Sequence, residues 1–477
     1  MNDTPDTVHP SGQARSLSLS TKLAFGAGDS GAGITATLLV FSFFIFLTSV
    51  AGLRPGLAGS VLMVGKIADA INDPVIGILS DRTRSRWGRR HIWMLLGSIP
   101  FGLFFFLHWI VPFDGSESFH QWMLFFYYLT ISIVYNLAFT AVNLPYTALT
   151  AELTADYHER TNLNSFRFFF SIGGSLVALI LGVVFEKHIA DPHLQYVLLG
   201  ATCGLLAVLP LYWCVWGTED PSAGESVLEA TEEPLPIGEQ LKITFGNRPF
   251  LLVMGIYLCS WLAFQLTAAT LPYYSLHWMR QESYFTVALI VQSVAIVMLF
   301  VWSWVSQKIG RKGVYYIGMG LWIIAQGALF FYPRTADNLL YISCAIAGMG
   351  VATAYLIPWS MLTDVTDLDE LESGQRREGI FYAFMVLLQK MGLAIGLFIV
   401  GNALEYFGFV ESAAEQPQSA LFAIRFVSSI VPVICLIAGC ILTYFYPITQ
   451  EIHAEILLKL SERKTTNNEQ RAMSNEQ

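Results

Sequence analysis

Long apolar stretches alternate with short polar or charged ones along the whole sequence. A helix needs about 20 mostly apolar residues to cross the roughly 30 Å hydrocarbon core of a bilayer. Twelve stretches reach that length, at approximately residues 22–50, 57–80, 92–112, 122–149, 163–185, 195–216, 248–274, 283–306, 314–332, 338–363, 379–403 and 420–446. The pattern predicts an all-α membrane protein with twelve transmembrane helices.

Composition agrees with that prediction. Of the 477 residues, 54% are hydrophobic and 13% are charged, a balance that soluble globular proteins do not normally reach. The formal net charge of -9 argues against a nucleic-acid partner. We expect a monomer whose partners are the lipid bilayer and a small-molecule substrate, with no bound cofactor.

Basic residues are unevenly distributed among the polar loops. Five arginines lie between residues 82 and 90, after the second apolar stretch, and Lys308, Arg311 and Lys312 follow the eighth. Loops rich in lysine and arginine stay on the cytoplasmic side, so these loops are predicted to be cytoplasmic. An even number of spans then places both termini in the cytoplasm of a multi-pass inner (plasma) membrane protein.

A polar stretch, residues 217–246, divides the spans into two groups of six. We predict an N-terminal six-helix half over residues 1–216, a cytoplasmic linker over 217–246, a C-terminal half over 247–446 and a cytoplasmic tail over 447–477.

The two halves also resemble each other in sequence. Residues 145–152 (Pro-Tyr-Thr-Ala-Leu-Thr-Ala-Glu) resemble residues 358–364 (Pro-Trp-Ser-Met-Leu-Thr-Asp), and Gly88–Arg90 resembles Gly310–Lys312. Such pseudo-repeats predict a cavity between the halves that opens alternately to either side.

Two carboxylates stand out in the second span. Asp69 and Asp73 lie one helical turn apart on one face, ~18 Å and ~12 Å deep from the cytoplasmic Asp81 at ~1.5 Å per residue. A charge at that depth costs roughly 2.5 to 3.5 kcal/mol, so a partner is expected: a proton, or a metal ion such as sodium that prefers oxygen ligands. Asn72 and Thr140 are predicted to complete this cation site. The alternative is a structural contact between helices without a role in transport.

Lys390 is a single ammonium near the centre of the eleventh span, and it is the only basic side chain that we place near mid-membrane. It must face the bundle interior or water. We predict that it pairs with Asp69 and Asp73 when no cation is bound. A static buried ion pair is the alternative.

Further polar and aromatic residues in the spans are candidates for substrate binding, together with Asp73 and Lys390. Each has a structural alternative: packing for the aromatics, hydrogen bonds between helices for the polar groups, and a position near the membrane surface for the arginine. The candidates are Asp29, Asn143, Tyr146, Arg167, Tyr355 and Trp359.

The loop after the second span contains candidates for gating. The arrangement Gly-x-x-x-Asp-Arg, formed by Gly77, Asp81 and Arg82 and followed by Arg86, is typical of the major facilitator superfamily. The alternative is that these residues only set the orientation of the protein in the membrane.

The sequence Asp69–Pro74 and the following Asp81–Arg90 resemble the glycoside-pentoside-hexuronide:cation symporter family of the major facilitator superfamily. Asn247–Phe250 and the acidic residues of 364–378 also match. The resemblance implies the twelve-helix major facilitator fold and symport of a sugar, glycoside or hexuronide with Na⁺ or H⁺ by alternating access. It implies that Asp69 and Asp73 bind the cation, that Asp73 is also close to the sugar, and that Lys390 and Arg167 belong to the pocket.

Departures from this family concern the substrate. The galactoside-carrying member has an aspartate where this chain has Gly33, and another where it has Asn143. Galactoside specificity is therefore not carried over. Sodium-dependent lysolipid carriers look like relatives of the same family, so symport of a lysolipid or another amphiphile is the main alternative, and a non-transporting sensor is a further one. A membrane-embedded enzyme is not predicted, since the histidines show no metal-binding spacing.

Overall fold

The computed structural model describes residues 17–113, 118–154, 157–220, 237–281, 283–334, 337–375, 377–411, 413 and 415–475. Helices form most of this part of the chain, which contains no β-strand. Short π-helical segments at Leu39–Phe43, Phe46–Val50, Tyr274–Trp278 and Phe426–Ile430 accompany the α-helices. The helices are α1 Leu19–Ala27, α2 Ser30–Leu38, α3 Pro55–Arg82, α4 His91–Leu107, α5 Ser118–Leu153, α6 Tyr157–His188, α7 Pro192–Gly217, α8 Ile237–Gly246, α9 Arg248–Tyr273, α10 Tyr284–Leu329, α11 Asp337–Ser373, α12 Glu378–Tyr406, α13 Gln418–Arg425, α14 Val431–Phe445 and α15 Gln450–Asn475.

The number of membrane-crossing helices agrees with the sequence pattern. Within the described ranges, nine segments are long and apolar enough to cross a membrane. The longest, Tyr284–Leu329, is two helices that meet at Gly310, whose φ of 75° breaks the helical path. The charged helix α3 and the 17-residue helix α4 complete an arrangement consistent with twelve spans.

Two helices lie outside the predicted spans. The segment predicted as a linker contains α8, and the predicted tail contains α15. Residues 221–236 of that linker lie outside the described residues. On α15, Ile456 and Leu460 are buried, and His453 Nε2 lies 3.1 Å from Asp364 Oδ1 of α11. The tail helix is therefore packed against the C-terminal half.

The sequence repeat corresponds to a structural one. Gly88 and Gly310 both have positive φ, 90° and 75°, which glycine adopts without a steric cost. In the N-terminal half, Arg89 Nη2 donates to Glu152 Oε1 at 2.9 Å. In the C-terminal half, Arg311 forms the equivalent ion pair with Asp364. Each half thus ties a loop arginine to the carboxylate at the end of its fourth span.

The two ends of the bundle differ. We call the end that carries Arg82–Arg90 and Lys308–Lys312 the basic face, and the opposite end the far face. On the far face, Tyr273 Oη of α9 lies 2.5 Å from Thr48 Oγ1, and Tyr196 Oη lies 2.8 Å from Tyr284 Oη. These hydrogen bonds join the halves.

Helices α3 and α12 also approach closely near the far face. A Cβ atom added to Gly59 would lie 2.8 Å from the Leu397 carbonyl oxygen, and one added to Gly401 would lie 2.3 Å from the Pro55 carbonyl oxygen. Closer to the basic face than Asp73 and Lys390, no hydrogen bond or ion pair between described residues joins the two halves. The halves are closed on the far face and separate toward the basic face.

Candidate functional site

The predicted carboxylates lie at the interface between the halves. Asp69 is 2% exposed, whereas the Asp73 side chain, one turn nearer the basic face, is 30% exposed. Thr140 Oγ1 of α5 lies 3.2 Å from Asp69 Oδ1 and 3.1 Å from Asp73 Oδ1. The hydroxyl has one proton, so it donates to one carboxylate at a time. Asp69, Asp73 and Thr140 thus present converging oxygen atoms.

Lys390 of α12 completes this arrangement from the other half. Its Nζ lies 3.0 Å from Asp69 Oδ2 and 2.6 Å from Asp73 Oδ2. The structure therefore brings together four predicted residues, Asp69, Asp73, Thr140 and Lys390, which we call the carboxylate site. Asn72, also predicted there, is partly buried on the same helix, and no hydrogen bond of its side chain is among the described contacts.

A second lysine corrects the expectation that Lys390 is the only basic side chain near mid-membrane. Lys66 Nζ lies 3.6 Å from Asp69 Oδ2 and donates to Asn136 Oδ1 at 3.2 Å. Lys66 is one turn before Asp69 on α3, so both reach the same side of the helix. Lys66 lies nine residues inside the predicted span 57–80, so its position three residues before Asp69 was a signal that could have identified it.

The polar chain continues from Lys66 toward the far face. Asn136 Nδ2 donates to the Ser132 carbonyl oxygen at 2.7 Å, and Ser132 Oγ lies 3.2 Å from His108 Nε2. His108 Nδ1 lies 2.8 Å from the Phe104 carbonyl oxygen. A carbonyl only accepts, so Nδ1 carries the proton and Nε2 accepts the Ser132 hydroxyl.

Formal charges balance in the carboxylate site and Lys66. Two carboxylates face two ammonium groups, and these ion pairs lie where uncompensated charge is costly. Among the described residues, no group of three or more His, Cys, Asp or Glu side chains is placed to hold a metal ion. The oxygen set fits a proton or a singly charged hard cation better than a transition metal, which prefers nitrogen or sulfur ligands.

Asp29 and Arg167 form a second ion pair nearby. Arg167 Nε of α6 lies 3.1 Å from Asp29 Oδ2, and the guanidinium carbon lies 5.6 Å from the centre of the Tyr146 ring. Tyr146 Oη donates to the Phe25 carbonyl oxygen at 2.8 Å. Arg167 therefore faces the bundle rather than the membrane surface.

The position of Gly33 explains one departure from the family. A Cβ atom there would lie 1.9 Å from the Ser171 carbonyl oxygen, so the contact between α2 and α6 leaves no room for a side chain. The aspartate of the galactoside-carrying member has no counterpart at this position. Asp29, one turn earlier, places a carboxylate beside Arg167 in the cavity lining.

A cavity of about 690 Å³ lies between the two halves. Its lining includes the predicted residues Asp29, Asp69, Asn143, Arg167, Tyr355 and Lys390. Tyr146 and Trp359 are not among its lining residues. Tyr146 packs behind Arg167, and the Trp359 ring centre lies 5.4 Å from that of Tyr257.

The C-terminal wall of this cavity contains residues that were not predicted. The Trp261 ring centre lies 5.8 Å from that of Tyr355, and Gln265 and Gln292 also line the cavity. Trp261 Nε1 and Gln292 Oε1 are buried, and neither has a hydrogen-bond partner among the described residues. Buried polar atoms normally have partners, so these two atoms are available to a ligand. No sequence pattern singles them out, because tryptophan and glutamine also occur in helix packing.

The predicted gating residues lie at the basic face. Asp81 Oδ1 pairs with Arg90 Nη2 at 2.7 Å, and Arg90 Nη1 also donates to Ser80 Oγ at 2.7 Å. Arg82 is exposed, and the Arg86 guanidinium carbon lies 4.7 Å from the centre of the Trp87 ring.

Gly77 brings α3 close to Leu144 of α5, where an added Cβ atom would lie 3.3 Å from Leu144 Cδ2. At the basic face the centre of the ion-pair network is therefore Arg90, which was not predicted. A gating role for Gly77, Asp81, Arg82 and Arg86 stays a prediction.

A bundle of apolar helices long enough to cross a membrane, built from two repeats around a central cavity, is the architecture of a membrane transporter. The model of the MFS/sugar transport protein family matches residues 24–450, and the chain belongs to this family. The predicted fold and the resemblance to cation symporters are confirmed, and relatives with the same fold are transporters rather than enzymes.

Related proteins are named as symporters. An uncharacterized symporter of Synechocystis is 46% identical over 95% of this chain and 98% of its own. The glycoside/cation symporter YagG of Escherichia coli is 28% identical over 91% and 93%. The sodium-dependent lysophosphatidylcholine symporter 1-A of Danio rerio is 27% identical over 92% and 87%.

A solved structure has the same fold. The xylose transporter XylE from E. coli, in a partially occluded inward-open conformation, aligns with a TM-score of 0.62 at 16% identity. The alignment covers 90% of this chain and 100% of that one.

Proposed function

We propose that the protein is a secondary active symporter that carries a sugar or glycoside together with Na⁺ or H⁺. One observation carries this proposal: Lys390 of one half contacts both carboxylates of the other half, at 3.0 and 2.6 Å. A cation bound by Asp69, Asp73, Thr140 and Asn72 would use the carboxylate oxygen atoms that Lys390 contacts. Cation and Lys390 therefore compete for one site, which links cation binding to the contact between the halves.

This competition supports coupling in both directions. When the cation displaces Lys390, the ammonium is free to donate to a substrate in the cavity that it already lines. The substrate in turn holds Lys390 away from the carboxylates and strengthens cation binding. Such coupling is reciprocal, because the same free energy links both binding events.

The lining of the cavity suits a solute that has both hydrogen-bonding groups and apolar faces. Hydrogen-bonding side chains line both halves, and the Trp261 and Tyr355 rings offer flat apolar surfaces. Sugars combine hydroxyl groups with apolar ring faces, so they match this lining. The relative named as a glycoside/cation symporter supports the same substrate class.

A lysolipid or another amphiphile is the second candidate substrate. Phe168 of α6 lines the cavity and is 57% exposed, and the contact of α6 with α10 at Gly182 and Phe285 lies toward the far face. An exposed apolar side chain of α6 therefore reaches the cavity wall, as the acyl chain of an amphiphile would require. The relative named as a lysophosphatidylcholine symporter supports this candidate.

We further propose that the protein is a monomer in the plasma membrane and that its basic face is cytoplasmic, following the positive-inside rule. The two halves then separate toward the cytoplasm. In this conformation the cavity is accessible from inside the cell.

Uptake into proteoliposomes tests the function. A panel of labelled neutral glycosides, hexuronides and lysophosphatidylcholine would be supplied with a Na⁺ gradient, a pH gradient or no gradient. We expect gradient-driven accumulation of at least one carbohydrate. Accumulation of lysophosphatidylcholine alone would select the second candidate, and binding of a ligand without accumulation under any gradient would favour a sensor.

A further inference from the structure

A second cavity, of about 570 Å³, lies on the outer side of the N-terminal half between α3, α4 and α5. Its walls are almost entirely apolar and include Leu96, Pro100, Phe104 and Leu137. Leu96 is 66% exposed and Leu137 is 40% exposed. None of its lining residues lines the central cavity. We call it the lateral groove.

The length of the lateral groove matches one leaflet. It extends along α4 from Trp93, near the basic face, to Phe104. Eleven residues of helix at ~1.5 Å each span roughly 16 Å, about half of the ~30 Å hydrocarbon core. Trp93 Nε1 donates to Thr83 Oγ1 at 2.8 Å, and tryptophan is typical of the membrane interface. The groove therefore fits a lipid acyl chain from the leaflet on the basic side.

Three arginines lie next to the basic-face end of the lateral groove in the sequence. Thr83 lines that end. Arg82 and Arg84 are its neighbours in the sequence, and Arg86 follows two residues later. Arg89 and Arg90 form ion pairs with Glu152. No carboxylate of a described residue lies within ion-pair distance of Arg82, Arg84 or Arg86. Their charge is thus available to an anion at the membrane surface.

We propose that the lateral groove binds an anionic phospholipid, with one acyl chain between α4 and α5 and its headgroup phosphate against Arg82, Arg84 and Arg86. A zwitterionic lipid fills the groove equally well but gains less from the arginines, because it has no net negative charge. Each basic residue near an anionic surface contributes roughly 1 kcal/mol, or about fivefold in affinity. The site does not depend on which substrate the central cavity carries.

Native mass spectrometry of the purified full-length protein tests the headgroup. Dioleoyl phosphatidylglycerol and dioleoyl phosphatidylcholine have the same chains and would be titrated in parallel. We expect tighter retention of phosphatidylglycerol, and a loss of roughly fivefold per arginine in the double variant Arg84→Gln/Arg86→Gln. The matched control is Lys308→Gln, a charge removed from the basic face of the other half. Equal retention of the two lipids by the unmodified protein would overturn the proposal, since only general contact with the bilayer would remain.

A second variant tests the acyl-chain part of the groove. Leu137→Trp adds bulk at a partly exposed lining position and is expected to lower retention of both lipids. Ile324→Trp is the control, because Ile324 is 69% exposed on α10 and lies outside the lateral groove. Equal lipid retention by Leu137→Trp and Ile324→Trp would contradict binding in the lateral groove.

Discussion

Lys390 Nζ lies 2.6 Å from Asp73 Oδ2, and this contact joins the two halves at the residues that we propose to bind the coupling cation. The Lys390 ammonium and the coupling cation compete for the same carboxylate oxygen atoms. The contact therefore gives the unloaded transporter its own counter-ion.

Lys390→Ala is expected to reduce net uptake more than substrate exchange. Exchange requires reorientation only of the carrier that holds substrate and cation. Net uptake also requires the unloaded carrier to reorient, and in this variant the negative charge of Asp69 and Asp73 would then lack the Lys390 counter-ion. Entrance counterflow and gradient-driven uptake in the same proteoliposomes give the ratio. Lys390→Arg keeps the charge and should restore part of net uptake. A parallel fall of both rates with unchanged cation affinity would show that Lys390 acts only as a substrate ligand and not as the counter-ion of the unloaded carrier.

Replacement of the cation ligands should produce a graded series. Asp73→Asn removes one of two anionic ligands, which a neutral amide does not replace, and should abolish cation-driven accumulation. Thr140→Val removes one neutral hydroxyl and should weaken cation binding by only about tenfold, or ~1.4 kcal/mol. Cation-dependent thermal stabilisation of the purified variants measures both effects. Wild-type accumulation by Asp73→Asn would remove this residue from the coupling site.

The sequence predicts some parts of this site better than others. Asp69, Asp73 and Lys390 stand out because charged side chains in the middle of apolar helices are rare and costly. Trp261 and Gln292 have no such signal: whether their polar atoms find partners depends on the packing of α9 and α10. The spans were predictable from length and hydropathy. Helix α8 was missed because a short helix in a polar stretch has no strong apolar pattern.

Trp261→Phe is expected to weaken substrate binding without changing cation binding. The substitution keeps an aromatic ring and removes the N–H group that has no partner among the described residues. Loss of one hydrogen bond to a substrate should lower affinity by roughly tenfold. Trp302→Phe is the matched control, because Trp302 Nε1 already donates to the Met349 carbonyl oxygen at 2.8 Å. Equal substrate affinity in Trp261→Phe and the wild type would exclude a hydrogen bond from this group.

Arg90→Ala should slow the transport cycle more than Arg82→Ala. Arg90 contacts Asp81, Glu152 and Ser80, whereas Arg82 is exposed. Because these contacts lie at the basic face, far from the cavity, equilibrium substrate binding should change little in either variant. Transport rates and binding isotherms on the same preparations separate the two effects. A loss of binding that matches the loss of rate would indicate a folding defect instead.

Gly401→Val is expected to favour a conformation that is open on the far face. Its Cβ atom would lie 2.3 Å from the Pro55 carbonyl oxygen, so α3 and α12 must separate there. Spin labels at Arg54 and Tyr406 in a cysteine-free background would report a longer distance. Gly320→Val is the control, since an added Cβ atom meets no atom within 4 Å. An unchanged distance in Gly401→Val would show that the contact does not hold the far face closed.

The charge balance around Asp69 and Asp73 also determines how the transport cycle responds to membrane voltage. With Lys66 and Lys390 as their partners, and with Asp29 paired to Arg167, the unloaded binding region carries no net charge. Its return across the membrane should therefore be insensitive to the membrane potential. A cation bound with a neutral sugar adds one positive charge, so an inside-negative potential of 100 mV would favour the loaded step by up to about 2.3 kcal/mol. The cell would then supply electrical work to inward transport alone, and the unloaded carrier would return at the same rate in energised and de-energised membranes.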